Sequence, residues 1–144
     1  MRWIAAVVLV GLVTAGYASY HEQQPAGGGE PAWRVQARTA ATHAGFAAGG
    51  ESMSYVEQHL GHALNCIEGP RGRNFNRAWG HVCEGQGQGI LPDLRNDRVG
   101  RSWMLVAEAA GELAVKGIQS RDLAQRKNAA RGVSELLRLI AEAR

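Results

Sequence analysis

Cysteine and lysine are scarce: the 144 residues include two of each, Cys66 with Cys83 and Lys116 with Lys127. No Cys-x-x-Cys-His occurs, which excludes covalent attachment of a c-type haem. No Gly-Lys-Ser or Gly-Lys-Thr follows the glycines at Gly85, Gly87 and Gly89, and no strand-like run precedes them, so they do not form a phosphate loop. Alternating apolar and polar residues in runs long enough for a strand are also missing. Serine, histidine and acidic residues share no motif that would bring a nucleophile to its base, so the chain leans away from an enzyme, which stands third among the functional classes. Excess charge is lacking as well. The net value is +3, too mild to argue for nucleic acid. Arginine supplies 14 of the 16 basic side chains, a trait of overall composition rather than of a site.

What is present begins with an export pattern. Arg2 precedes an uncharged apolar run from Trp3 to Ala15, followed by the small residues Gly16 and Ala18. This predicts a signal peptide over residues 1–18, cut between Ala18 and Ser19, and a periplasmic or secreted protein. No cysteine follows the apolar run and no Arg-Arg pair precedes it, so neither a lipid anchor nor the twin-arginine route is expected. An uncleaved anchor is the rival, because Trp3 to Tyr20 carries no charge. A spanning helix needs about 20 predominantly apolar residues, and this stretch closes in Gly-Tyr-Ala-Ser-Tyr. Cleavage is the expectation, leaving no membrane-spanning segment. Arg2 is the only charge removed, so the remainder carries +2.

Export also gives the two cysteines an oxidising compartment, and a Cys66–Cys83 disulfide is the expected pairing. In the chain-entropy account such a loop contributes about 3 kcal/mol.

Residues 19–31, with Gly27-Gly28-Gly29 and two prolines, read as a flexible tether, and 32–144 as one helical domain. Ala32–Ala48 is alanine-rich and free of proline, which favours a helix broken by Gly49-Gly50. Ser52 or Ser54 caps a second helix that runs to about Ile67 and stops at Gly69-Pro70. Its apolar face is Met53, Val56, Leu60, Ala63, Leu64 and Ile67. Residues 69–98 hold six glycines and two prolines and read as a long loop, pinned by Cys83, with Phe75, Trp79 and Ile90-Leu91 turned toward the core. Asp93 and Asp97 read as turn or capping residues. A third helix is expected over about 100–117, with Trp103, Val106, Ala107, Ala110, Leu113 and Ala114 as its stripe. Ser120 is expected to cap a fourth, whose buried face is Leu123, Ala130, Val133, Leu136, Leu137 and Ile140. The expected architecture is therefore an all-α four-helix bundle with a long, disulfide-pinned, glycine-rich loop between helices 2 and 3.

One pattern carries chemistry. At about 100° per residue, Tyr55, His59, His62 and Cys66 fall on one stripe of the second helix, roughly 120° around from its apolar face. Residues three and four apart are surface neighbours, so both imidazoles can reach one ion. A Cys66–Cys83 bond would tie the glycine-rich loop over this stripe and deliver His81, two residues from Cys83. The expected ligands are His59, His62 and His81, with His43 of the first helix as a possible fourth. Imidazole suits copper, zinc or nickel ions. Against this stands a purely structural role, in which the histidines pack beneath the loop and bind its carbonyls, and Gly61 permits a close helix crossing. Arg71, Arg73, Arg77, Arg95, Arg98 and Arg101 gather around the loop and read as a solvated rim.

The segment His59-Leu-Gly-His62-Ala-Leu-Asn-Cys66-Ile-Glu-Gly69-Pro70, with Cys83-Glu-Gly-Gln-Gly87-Gln-Gly89-Ile further on, resembles a group of small exported proteins of Gram-negative bacteria. These share a His-rich helix ending in Asn-Cys, then Gly-Pro, then a second cysteine with a glycine-rich turn. The likeness covers about residues 43–94 and implies that histidines, cysteines and glycine turn form one structural unit. This chain has fewer histidines in that helix than the group, and the resemblance carries no activity with it. The competing functional class is a non-catalytic envelope scaffold that binds a protein partner through the arginine-rich loop or an apolar groove.

Overall fold

A computed structural model describes residues 29–143; the expected signal peptide and residues 19–28 of the expected tether lie outside them. Among the described residues there are five α-helices: α1 (Ala32–Gly49), α2 (Met53–Glu68), α3 (Ile90–Asn96), α4 (Met104–Gln119) and α5 (Leu123–Ala141). Single 3₁₀ turns occupy Arg77–Trp79 and Gly100–Trp103, and no strand is present among the described residues. The all-α expectation and the Cys66–Cys83 disulfide are both found. The count of four helices is not. The extra helix, α3, sits inside the segment read as loop. Pro92 and Asp93 lie in its first turn, where a missing N–H costs nothing and a carboxylate meets the positive end of the helix dipole.

Caps set the other boundaries. Ser52 Oγ accepts the Tyr55 N–H at the start of α2. At α5 the cap is Asp122, which accepts the Gln125 N–H at 2.7 Å, and not Ser120. Ser120 Oγ instead accepts the Asp122 N–H and so sets the turn before the helix. The third long helix also begins later than its sequence stripe suggests, because Gly100–Trp103 is wound as a 3₁₀ turn.

Alanine dominates the buried face of α1 (Ala37, Ala40, Ala41, Ala44 and Ala47), so α1 and α5 approach closely enough for Ser134 to donate to the Ala41 carbonyl at 3.0 Å. Trp33, Leu60, Leu64, Ile67, Leu94, Leu137 and Ile140 fill the remaining core, each contributing roughly 1.5–3 kcal/mol through burial. The helices alternate in direction. Arg34 near the start of α1 binds the Ala143 carbonyl beyond α5. Buried Arg126 near the start of α5 reaches the Met53 carbonyl and the Glu57 carboxylate at the start of α2. One end of the bundle thus gathers the start of α1, the end of α5 and the Asp97–Trp103 segment, where Asp97 accepts from Trp33. The opposite end carries the α1–α2 turn.

Buried amides fasten the 69–89 segment to this frame. Asn65 donates to the carbonyls of Asn76 and Gly80 at 2.8 and 2.6 Å, and its oxygen accepts the Asn76 N–H at 2.9 Å. Gln36 donates to Asp93 at 2.6 Å and accepts the Gly89 N–H at 3.0 Å. The Trp79 indole packs against Gly61, so close that a Cβ there would stand 2.2 Å from the ring. Gly61 therefore serves an aromatic contact, not a helix crossing. Gly61→Ala is expected to expel Trp79, lower unfolding free energy by about 1–3 kcal/mol and red-shift tryptophan emission. Unchanged stability and emission would count against this packing.

Candidate metal centre

The α1–α2 turn folds His43 against His59 and His62. His43 Nδ1 lies 3.1 Å from His59 Nδ1 and 3.0 Å from His62 Nδ1. The three ligand atoms all fall within 4.8 Å of one another. Two ligand nitrogens bound at 2.0–2.1 Å in a tetrahedral site would be about 3.3 Å apart, close to the two short separations. A neutral imidazole nitrogen offers either one proton or one lone pair. His43 Nδ1 consequently satisfies only one of its two neighbours by hydrogen bonding. A cation accepting all three lone pairs would satisfy every nitrogen at once.

The surroundings favour that arrangement. The Trp79 backbone beside the His62 ring favours its charged form. His62 Nδ1 is directed at His43, and Nε2 faces Gly80, where an added Cβ would come within 3.4 Å of it. A proton on Nε2 would leave Nδ1 as the lone-pair nitrogen, the usual form of a metal-binding histidine. Tyr55 lies against the His59 ring with centroids 4.4 Å apart, and Phe46 sets its edge toward His43 and His59 at 5.5 Å each. Burial among these rings, reinforced by repulsion from His62 and then His59, pushes the His43 imidazole down to about 4. Burial likewise lowers His59, with His62 contributing, and lowers His62 despite the Trp79 backbone. All three rings are held neutral near pH 7, the form that coordinates metal.

This has a consequence for the metal-free protein. Unfolded imidazoles, at about 6.5, take up protons before the folded His43 does at about 4, so acid favours the unfolded chain. The stabilisation is complete above about pH 6.5 and is lost as the pH falls through about 4. Urea midpoints measured in chelator are expected to drop across that window, and His43→Asn should flatten the drop. Equal slopes for both proteins would contradict it.

The expected ligand set is only partly assembled. His43 and His59 are half-buried, His62 is buried, and the three form the cluster. His81 stands apart from that group. Its ring meets Phe75 at 5.3 Å, and its buried Nδ1 has no protein partner. The disulfide does bring the loop to His62, but the Trp79 and Gly80 backbone fills the space beside Nε2. Gly80, at φ +85°, turns the chain there, and its carbonyl is held by Asn65. Cys66 and Cys83 are spent in the disulfide and are not ligands. Phe46, on the face of α1 that also carries His43, forms part of the wall; Trp79, which the sequence placed only toward the core, stands beside His62, and the Gly61 opposite it was the one hint.

Compared with protein-family models, with curated proteins and with solved structures, the chain matches none.

Proposed function

We propose that this is an exported helical protein that binds one transition-metal ion through His43, His59 and His62. The observation that carries the reading is the convergence of three imidazoles, with His43 Nδ1 3.1 Å from His59 Nδ1 and 3.0 Å from His62 Nδ1. Three neutral imidazoles and no carboxylate or thiolate suit copper, zinc or nickel over magnesium or calcium. Three protein ligands leave one tetrahedral position, the arrangement of sites that exchange water or a small ligand rather than of closed structural sites. The half-exposed His43 and His59 place that position toward solvent, which fits reversible uptake of an ion. Export fits the disulfide, and no helix among the described residues is long and apolar enough to cross a membrane.

The test is native mass spectrometry of protein purified from the periplasm of an expression host, stripped with chelator and titrated with Zn(II), Cu(II) and Ni(II). One equivalent of at least one ion should be retained on the oxidised, cleaved chain. No retained ion after supplementation at neutral pH would refute the reading.

A further inference from the structure

At the end of the bundle remote from the α1–α2 turn, apolar side chains stand in water beside unpaired arginines. Leu105 is 78% exposed and Val99 62%, the two most exposed large apolar residues described, and Leu139 near the end of α5 is 53% exposed. Arg95, Arg98 and Arg101 are exposed among them, and none has an ion-pair partner among the described residues. From residue 95 to residue 105 the one acidic side chain is Asp97, and its carboxylate is committed. It accepts from the Trp33 indole at 2.9 Å and from the Val99 and Gly100 N–H groups at 2.8 Å each. Buried Gly100 packs against Leu94 and Trp33. Val99 is therefore held outward by a braced turn and is not merely left uncovered.

We propose that this end docks on an anionic phospholipid bilayer, with Val99 and Leu105 entering the interface and Arg95, Arg98 and Arg101 meeting phosphate headgroups. Exposed apolar side chains ringed by arginine are the composition of an interfacial contact, and each arginine near an anionic surface strengthens binding about fivefold. Of the other carboxylates at this end, Glu135 pairs with Arg138 and Glu30 with Arg38, while exposed Glu142 and Glu108, the latter one turn beyond Leu105, have no ion pair among the described residues. The metal-binding histidines lie toward the other end, so docking would leave them open to solvent.

The test is cosedimentation of the exported chain with vesicles of phosphatidylglycerol and phosphatidylcholine in equal parts, against phosphatidylcholine alone. Binding to the anionic vesicles only, weakened about tenfold or more both by Val99→Asp with Leu105→Asp and by Arg98→Glu with Arg101→Glu, is the expected result. Should the aspartate pair fail to fold, Val99→Ser with Leu105→Ser replaces it, with circular dichroism as the check. Three results overturn the proposal: no sedimentation of the wild-type chain, sedimentation that neither pair alters, or binding lost on arginine reversal yet indifferent to Val99 and Leu105. The last would mark a polyanion surface instead of a lipid one.

Discussion

Replacing His62 by alanine is expected to lower metal affinity by at least about 100-fold, while His81→Ala leaves it unchanged. The first figure follows from rank: groups that only orient a ligating histidine are worth 10–100-fold, and His62 is a ligand in the proposed site. It is also the best fixed of the three, being buried and 3.0 Å from His43. His43→Ala and His59→Ala should cost comparable amounts, since each leaves two imidazoles and a site open to water. Competition titration against a chromophoric chelator measures all four variants. Thermal unfolding in the presence and absence of metal supplies a second readout, because a ligand that binds only the folded chain raises its melting temperature. That increment should vanish in His62→Ala and persist in His81→Ala. If His81→Ala lost affinity while His43→Ala kept it, the loop histidine would be the third ligand and the proposed site would be wrong.

The contrast between His43 and His81 also shows what a sequence can carry. The α2 stripe was readable because helical spacing is fixed by hydrogen bonding within one segment. Val56, Leu60, Ala63, Leu64 and Ile67 are all buried, as their spacing demands. The disulfide was readable because two cysteines permit one pairing. His43 had a signal that was only half used: it lies eight residues before Glu51, and His59 lies eight after. A tight antiparallel hairpin therefore sets them level. His81 could not be placed this way, because its position depends on the torsions of Gly80 and on which loop groups Asn65 binds. Those are non-local facts. The same holds for buried Gln36, Asn65, Arg126 and Ser134, polar residues that no periodicity would send inward. Each is inside because a particular backbone or side-chain group awaits it, on α3, the loop, α2 or α1. The helix α3 escaped notice for a related reason. Seven residues are too few to show a period, and only Ile90 and Leu94, four apart, are buried.

Gly69→Ala should be among the most damaging single substitutions in the chain, lowering unfolding free energy by about 3–5 kcal/mol. Two backbone segments cross where α2 ends, and both carry glycine. A Cβ on Gly69 would lie 1.8 Å from the Gln88 carbonyl oxygen, and one on Gly89 would lie 2.7 Å from the Gly69 nitrogen. Neither neighbour is a side chain that could swing aside. Gly69 also sits at φ +70° and ψ +176°, a region essentially closed to residues with a Cβ. Its N–H must stay where it is, because it caps α2 through the Asn65 carbonyl at 2.9 Å. Backbone strain and steric conflict therefore add. Gly85 separates them, since it has φ +79° but open space around its Cβ position. Gly85→Ala should incur only the torsional cost, about 1 kcal/mol. Urea unfolding of the oxidised protein compares the two. A Gly69→Ala loss no larger than that of Gly85→Ala would mean the crossing has room to open, and the tight closure of the loop over His62 would lose its main support. A loss several times larger would place the crossing beside the disulfide as a second clasp on the segment that orients His62. Metal affinity should then fall in Gly69→Ala although no ligand has been touched.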